Sequence, residues 1–177
     1  MALIKTVNGK TPQWGKDCYF AETATLLGDV IMGDGCSIWF NAVLRGDVHF
    51  IRLGNNVNVQ DGAIIHCTYQ KYPVNIGNNV SIAHGAIVHG CTLHDNVLIG
   101  MGAIVMDDVV IESNSVIAAG AVVTKGTKVP SGTVFGGMPA KKIKSVDKAL
   151  LEGEVQRIAQ NYRMYASWYT ENTKRKP

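Results

Sequence analysis

Residues 93–123 read LHDNVLIGMGAIVMDDVVIESNSVIAAGAVV. A bulky apolar residue returns at every sixth position: Leu93, Ile99, Val105, Ile111, Ile117 and Val123. Small residues such as Ala103, Ser115 and Ala121 stand four places after a bulky one. A helix repeats near 3.6 residues and a strand alternates in twos, so neither produces this beat. A solenoid of short parallel strands joined by tight corners does. Each hexad supplies one side of a triangular coil, and three hexads close a turn. The bulky residue fills the interior of the prism and the small one lets the chain bend. No coil buries its inner face alone, so stacking makes the core.

The same beat extends in both directions. It begins at Phe20, Leu26, Met32, Ile38 and Leu44, with Ala24, Val30, Cys36, Ala42 and Val48 as their small partners. It resumes at Leu53, Val59 and Ile65, then at Ile76, Ile82 and Val88, and runs past Leu93 to Val129 and Phe135. Short outward bulges are expected at "HFIR" (49–52) and "QKYPVN" (70–75), and the five-residue step from Val88 to Leu93 is a small deletion. Gly28, Gly33, Gly54, Gly77 and Gly100 suit tight backbone conformations at the coil edges. From Asp147 onward the pattern changes, and Leu151, Val155, Ile158, Tyr162, Tyr165 and Tyr169 recur at helical spacing. Ser145 or Asp147 can cap that helix. The reading is an all-β parallel β-helix over 1–140, followed by an amphipathic helix and tail over 141–177. The helix is expected to lie along the prism or against a partner subunit.

Composition excludes several classes. A net charge of +3 in 177 residues is too small to argue for nucleic acid or a membrane surface. The basic "TKRKP" at the end reads as a solvated tail. No apolar run has signal-peptide or membrane-spanning length, and the four cysteines show no paired framework. They read as reduced thiols in a cytoplasmic protein.

The histidines carry the chemistry. Positions three hexads apart lie above one another, which stacks Arg45, His66 and His89 in one column at steps of about 4.8 Å. That step lets two imidazoles turn toward one metal with bonds of about 2.0–2.1 Å. His84 falls in a different column, above Asp61, as much as about 16 Å of extended chain away from His89. It reaches the pair only from a neighbouring chain, in a three-fold assembly with a corner of one prism against a face of the next. Three histidines with an open fourth position make a catalytic zinc arrangement. His49 and His94 read as ordinary surface groups, and Cys67 and Cys91 as apolar filler rather than ligands.

"LRGD" (44–47), "NVQDGAIIH" (58–66), "HGAIVHG" (84–90) and "GMGAIV" (100–105) resemble the γ-class carbonic anhydrases and their close relatives. The hexad beat and "GGMPAKKI" alone are shared with hexapeptide-repeat acyltransferases. The resemblance implies a left-handed β-helix and a homotrimer with zinc, or alternatively iron or cobalt, at each subunit interface. It assigns His66, His84 and His89 as metal ligands, and Arg45 with Asp47 as a pair tying subunits together near the site. Gln60 and Asn58 match polar residues beside the metal-bound water and substrate, Asp61 an acidic neighbour of His84, and Tyr162 a tyrosine reaching the pocket. The implied reaction is reversible hydration of carbon dioxide to bicarbonate by a metal-bound hydroxide oriented by Gln60. Prototypical members carry glutamates near the positions of Val48 and Tyr69, one of them a proton shuttle. This chain has neither, leaving His49, Tyr69 and Tyr162. The alternatives are an acyltransferase or thioesterase acting on coenzyme A thioesters, and a trimeric metal-binding module without hydratase activity.

Overall fold

Every interior hexad residue from Leu26 to Phe135 is buried, and Phe20 packs half-buried against the same core. The computed structural model describes residues 1–172. The expected solvated tail, Thr173 to Pro177, lies outside the described residues. The chain is a parallel β-solenoid of about seven turns followed by a C-terminal helix.

Three flat faces make the prism. The first stacks the beginning of the long strand Val43–Leu53 with Ile64–His66, Ile87–His89, Ile104–Val105 and Val122–Val123. The second stacks the end of Val43–Leu53 with Val74–Ile76, Thr92–Leu93, Val110–Ile111 and Lys128–Val129. Because Thr25–Met32 and Val43–Leu53 each run around a corner, these two faces form one 12-stranded sheet. The third face runs from Tyr19–Phe20 to Thr133–Gly136 and belongs to a separate eight-stranded sheet. All these rungs pair in parallel register, so the six-residue beat becomes columns of side chains.

Both expected bulges are present, each beginning two residues earlier than expected. Pairing jumps from Gly28–Gly46 to Val30–Ile51, which pushes residues 47–50 outward. Residues 68–72 close a small antiparallel bridge, Thr68 with Tyr72.

The glycines after the interior positions serve a different purpose from the one expected. Only Gly28 among the five has positive φ, at +72°. A Cβ on Gly33 would fall 2.9 Å from the Gly54 carbonyl, and one on Gly54 would fall 2.8 Å from that of Gly77. These glycines are set by backbone approach between rungs, not by backbone twist. The left-handed corner positions are filled instead by residues such as Asn56, Asn79 and Asn96, and by Gly62 and Gly85.

A strand the periodicity does not reveal, Lys141–Ser145, pairs antiparallel with Thr133–Gly136 and closes the last rung of the third face. Its exposed lysines suit a sheet edge. Asp147 caps the helix, its side chain accepting from the Leu150 amide at 2.8 Å. The helix starts at Lys148, widens over Leu151–Gln156, and is α-helical over Arg157–Asn172. Its buried stripe is Val155, Ala159 and Ala166, not the expected tyrosines. Small side chains let a helix lie close on a flat sheet, and the tyrosines flank that contact. Tyr162 and Tyr169 meet Trp39 edge-on at ring separations of 5.3 and 5.5 Å.

Candidate metal centre

The residue after each interior position points outward, and on the first face this column holds the predicted set. Arg45 pairs with His66, and His66 pairs with His89. The two imidazoles approach each other, with His66 Nδ1 3.0 Å from His89 Nε2. The other nitrogen of each ring faces a carboxylate: His66 Nε2 lies 3.1 Å from Asp47 Oδ1, and His89 Nδ1 2.7 Å from Asp107 Oδ1. A carboxylate only accepts, so it fixes the imidazole N–H on the nitrogen it faces. In neutral rings this leaves the nitrogens that face each other as the ones without protons.

Each carboxylate is itself held. Arg45 donates to Asp47 at 2.8 Å, within the same chain. The Thr68 hydroxyl donates to the second oxygen of Asp107 at 2.9 Å. Gly90 leaves room for this arrangement, since a Cβ there would collide with Asp107 Oδ1.

His84 sits at the corner between the third and first faces, with its Nδ1 2.9 Å from Asp61 Oδ2. Its Nε2 lies 3.4 Å from the Tyr162 hydroxyl on the terminal helix. Below it, Gln60 donates to Asn58 at 2.9 Å and Asn58 donates to Ser81 at 2.8 Å, a fully buried relay. Gln60, His84, Met101, Ile158, Tyr162 and Tyr165 help line a mostly apolar groove of about 340 Å³. Among the described residues, no three His, Cys, Asp or Glu side chains of one chain converge as a metal site. The structure thus brings His66 and His89 together and leaves His84 on the corner, as expected for a single chain.

Electrostatics sharpen the contrast between the groups. Burial pushes the Asp47 carboxyl up, but the hydrogen bonds from Arg45 and His66 outweigh it and hold the group below its usual range. Burial, assisted by the Arg45 charge, pulls His66 below its ordinary value, which favours the neutral ring a metal requires. Burial and the Asp61 charge raise Tyr162 to about 12, so its hydroxyl stays protonated at neutral pH. Burial raises Cys67 to about 11 and raises Cys91 as well. Cys67 donates to the Phe50 carbonyl at 3.3 Å.

The remaining shuttle candidates have partners other than the histidine pair. His49 accepts from the Phe50 amide at 2.9 Å, and the exposed Tyr69 hydroxyl accepts from Gln70 at 3.0 Å. His94 lies 3.7 Å from Glu112 on the second face. Sequence reasoning missed Asp107 and Thr68. Asp107 follows Met106, which falls above His89 when the Val88–Val105 register is continued by one residue, but Thr68 belongs to a bulge that hexad counting does not place.

Comparison with known proteins places this arrangement. The bacterial transferase hexapeptide family (six repeats) matches residues 90–125. Gamma carbonic anhydrase 2, mitochondrial, of Arabidopsis thaliana is 40% identical over 167 residues, 92% of this chain and 59% of the relative. The chain therefore spans about three fifths of that plant protein. A putative acetyltransferase of known structure from Bacillus cereus is 35% identical, with a TM-score of 0.91 over 96% of this chain and 98% of that one. Carbonic anhydrase of Geobacillus kaustophilus is 37% identical over 94% of this chain and 91% of its own length. A match of that identity across nearly the whole of both proteins, on a solenoid with stacked histidines, shows that the chain belongs to the γ-class carbonic anhydrase family.

Proposed function

We propose that this protein is a metal-dependent carbonic anhydrase-like lyase, assembled as a homotrimer, that interconverts carbon dioxide and bicarbonate. One observation carries the reading: the two ring nitrogens that face away from the carboxylates lie 3.0 Å apart. With each N–H held on a carboxylate, both would present lone pairs, an arrangement that a shared proton or a metal ion stabilises. The ligand–ligand edge of a tetrahedral zinc site with bonds of about 2.0–2.1 Å is about 3.3 Å, so the donor set fits zinc. His66 and His89 of one chain would hold the ion, with His84 of an adjacent chain as third ligand. Iron or cobalt would suit the same nitrogen donors.

A second feature favours assembly. Beside the histidine column, Val43, Ile64, Ile87, Ile104 and Val122 form a ladder of outward apolar residues. Another copy covering that face would bring a corner histidine to the pair. No helix among the described residues is long and apolar enough to cross a membrane. We place the protein in the cytoplasm on the reading of its cysteines as reduced thiols.

When bound, the metal supplies Lewis acidity and draws the pKa of a coordinated water toward about 7. The chain's own residues do the rest. Asp47, Asp61 and Asp107 each fix the tautomer of one imidazole, with the N–H on Nε2 of His66 and on Nδ1 of His84 and His89. Gln60, fixed by Asn58, presents its amide at the groove and orients substrate. Tyr162, protonated at neutral pH, stands beside the His84 nitrogen that would face the ion and positions rather than shuttles protons.

The test is metal content by elemental analysis together with stopped-flow carbon dioxide hydration. About one metal per chain, with both metal and rate lost in His89→Ala, is expected. Equal rates in the two proteins would sink the reading. The apolar groove of about 340 Å³ favours one alternative, action on the acyl group of a coenzyme A thioester. Turnover of acetyl-coenzyme A by metal-free protein would select it. Stoichiometric metal without either turnover would leave a trimeric binding module.

A further inference from the structure

We propose that Cys18 and Cys36 form an oxidisable dithiol at the edge of the third face, which hydroperoxides convert to a disulfide. The site lies apart from the histidines and does not rest on the hydratase reading.

The two residues occupy adjacent rungs. Tyr19 pairs with Ser37 in parallel register, and its amide donates to the Cys36 carbonyl at 2.9 Å, which sets Cys18 opposite Cys36. A rung spacing of about 4.8 Å lies inside the Cα separation of about 4.4–6.8 Å that disulfides span. Tyr19–Phe20 is the end strand of its sheet, so Cys18 has a rung on one side only. It can shift toward Cys36 without breaking a second ladder.

A cavity of about 360 Å³ opens between these thiols and the terminal helix, lined in part by Cys18, Cys36, Ser37, Arg163 and Ser167. Its size admits a small peroxide, and the Arg163 guanidinium lies close to Gly35 at its wall. At rest Cys18 donates to the Gly33 carbonyl at 3.3 Å and Cys36 to that of Gly54 at 3.2 Å. When Cys18 ionises, the Cys36 S–H can turn to its sulfur. That hydrogen bond lowers Cys18 to about 7 against the opposing effects of burial and Asp34, and raises Cys36. An accessible thiol of low pKa beside a resolving cysteine is the arrangement oxidants select. Cys67 and Cys91 are buried and serve as internal controls.

The chemistry balances. The Cys18 thiolate attacks one peroxide oxygen, the O–O bond breaks, and water leaves after protonation, giving a sulfenic acid. The Cys36 thiol then attacks that sulfur, forming S–S and expelling the hydroxyl as a second water. The thiols lose two electrons and the peroxide gains them.

The experiment treats the folded full-length chain with hydrogen peroxide, quenches it, and counts thiols after unfolding. We expect the count to fall from four to two, with peptide mapping linking Cys18 to Cys36 and a reductant restoring all four. Cys36→Ser is expected to leave a sulfenic acid at Cys18, trapped by dimedone. Four surviving thiols at peroxide levels that oxidise glutathione would overturn the proposal, as would a link through Cys67 or Cys91. Because the mapping uses the unaltered chain, poor folding of the variant leaves the test decisive.

Discussion

Removing the carboxylate of Asp107 tests the link between tautomer and metal. Its 2.7 Å contact with His89 Nδ1 is a short charge-assisted bond, worth about 1.5–3 kcal/mol net. Asp107→Asn keeps the shape and a neutral acceptor, so about half of that is lost, and zinc affinity is expected to fall about three- to twelvefold at 1.4 kcal/mol per decade. Asp107→Ala removes the acceptor altogether and leaves the Thr68 hydroxyl without its partner, so the loss moves toward the 100-fold end of the about 10–100-fold range for such supporting groups. Thr68→Val removes only the outer bond of 2.9 Å and is expected to cost about 0.5–1.5 kcal/mol. The assay is zinc affinity by chelator competition on metal-stripped protein, with thermal melts of the same samples as a folding control. The order Thr68→Val, Asp107→Asn, Asp107→Ala, His89→Ala is the expected ranking of loss. Unchanged affinity in Asp107→Ala, with binding abolished in His89→Ala, would refute the tautomer argument. Retained affinity in His89→Ala as well would remove His89 from the ligand set.

Other expectations follow from the scaffold. Gly54→Ala places a Cβ 2.8 Å from the Gly77 carbonyl and is expected to cost about 1–3 kcal/mol, a melting drop of about 2–4 °C per kcal/mol. Gly62→Ala meets no neighbour but sits at φ +69°, so about 1–2 kcal/mol is expected, largely recovered by Gly62→Asn, whereas Gly54→Asn recovers nothing. Ile99→Ala opens a cavity between fully buried rungs and should cost about 2–5 kcal/mol by urea denaturation. The metal-free protein should lose stability as pH falls. His66 is held below its ordinary value in the folded chain, so the unfolded chain takes up the proton first, and its contribution is complete above about pH 6.5 and lost below. His66→Gln should flatten that slope in pH-dependent melts.

The hexad beat made most of the fold legible, because one interior residue per face per turn leaves a period that neither a helix nor a plain strand produces. The same counting placed His66 under His89, since parallel in-register rungs convert sequence spacing into columns. It could not place Asp107 or Thr68 with equal ease, because their contact crosses from a column to a bulge, where the period is broken. The strand at Lys141–Ser145 escaped for a related reason: an antiparallel closing strand carries no hexad. The glycine columns were visible but misread, since a close backbone approach from the next rung leaves the same letter as a left-handed corner. On the helix, tyrosines at helical spacing suggested the buried stripe. The fully buried positions are Val155, which that spacing included, and Ala159 and Ala166, which it did not, while Tyr162 and Tyr165 pack half-buried at the margin of the contact.

A stack of identical rungs behaves as a ruler whose graduations are fixed by the backbone. Ligands placed on it can sit one graduation apart or two, but never at an intermediate distance, whatever their side chains prefer. Continuing the Val88–Val105 register puts Met106 on the mark above His89. Coordination chemistry on such a scaffold is therefore tuned digitally, by choosing which mark bears a donor, and the continuous adjustments fall to the partners that aim each ring.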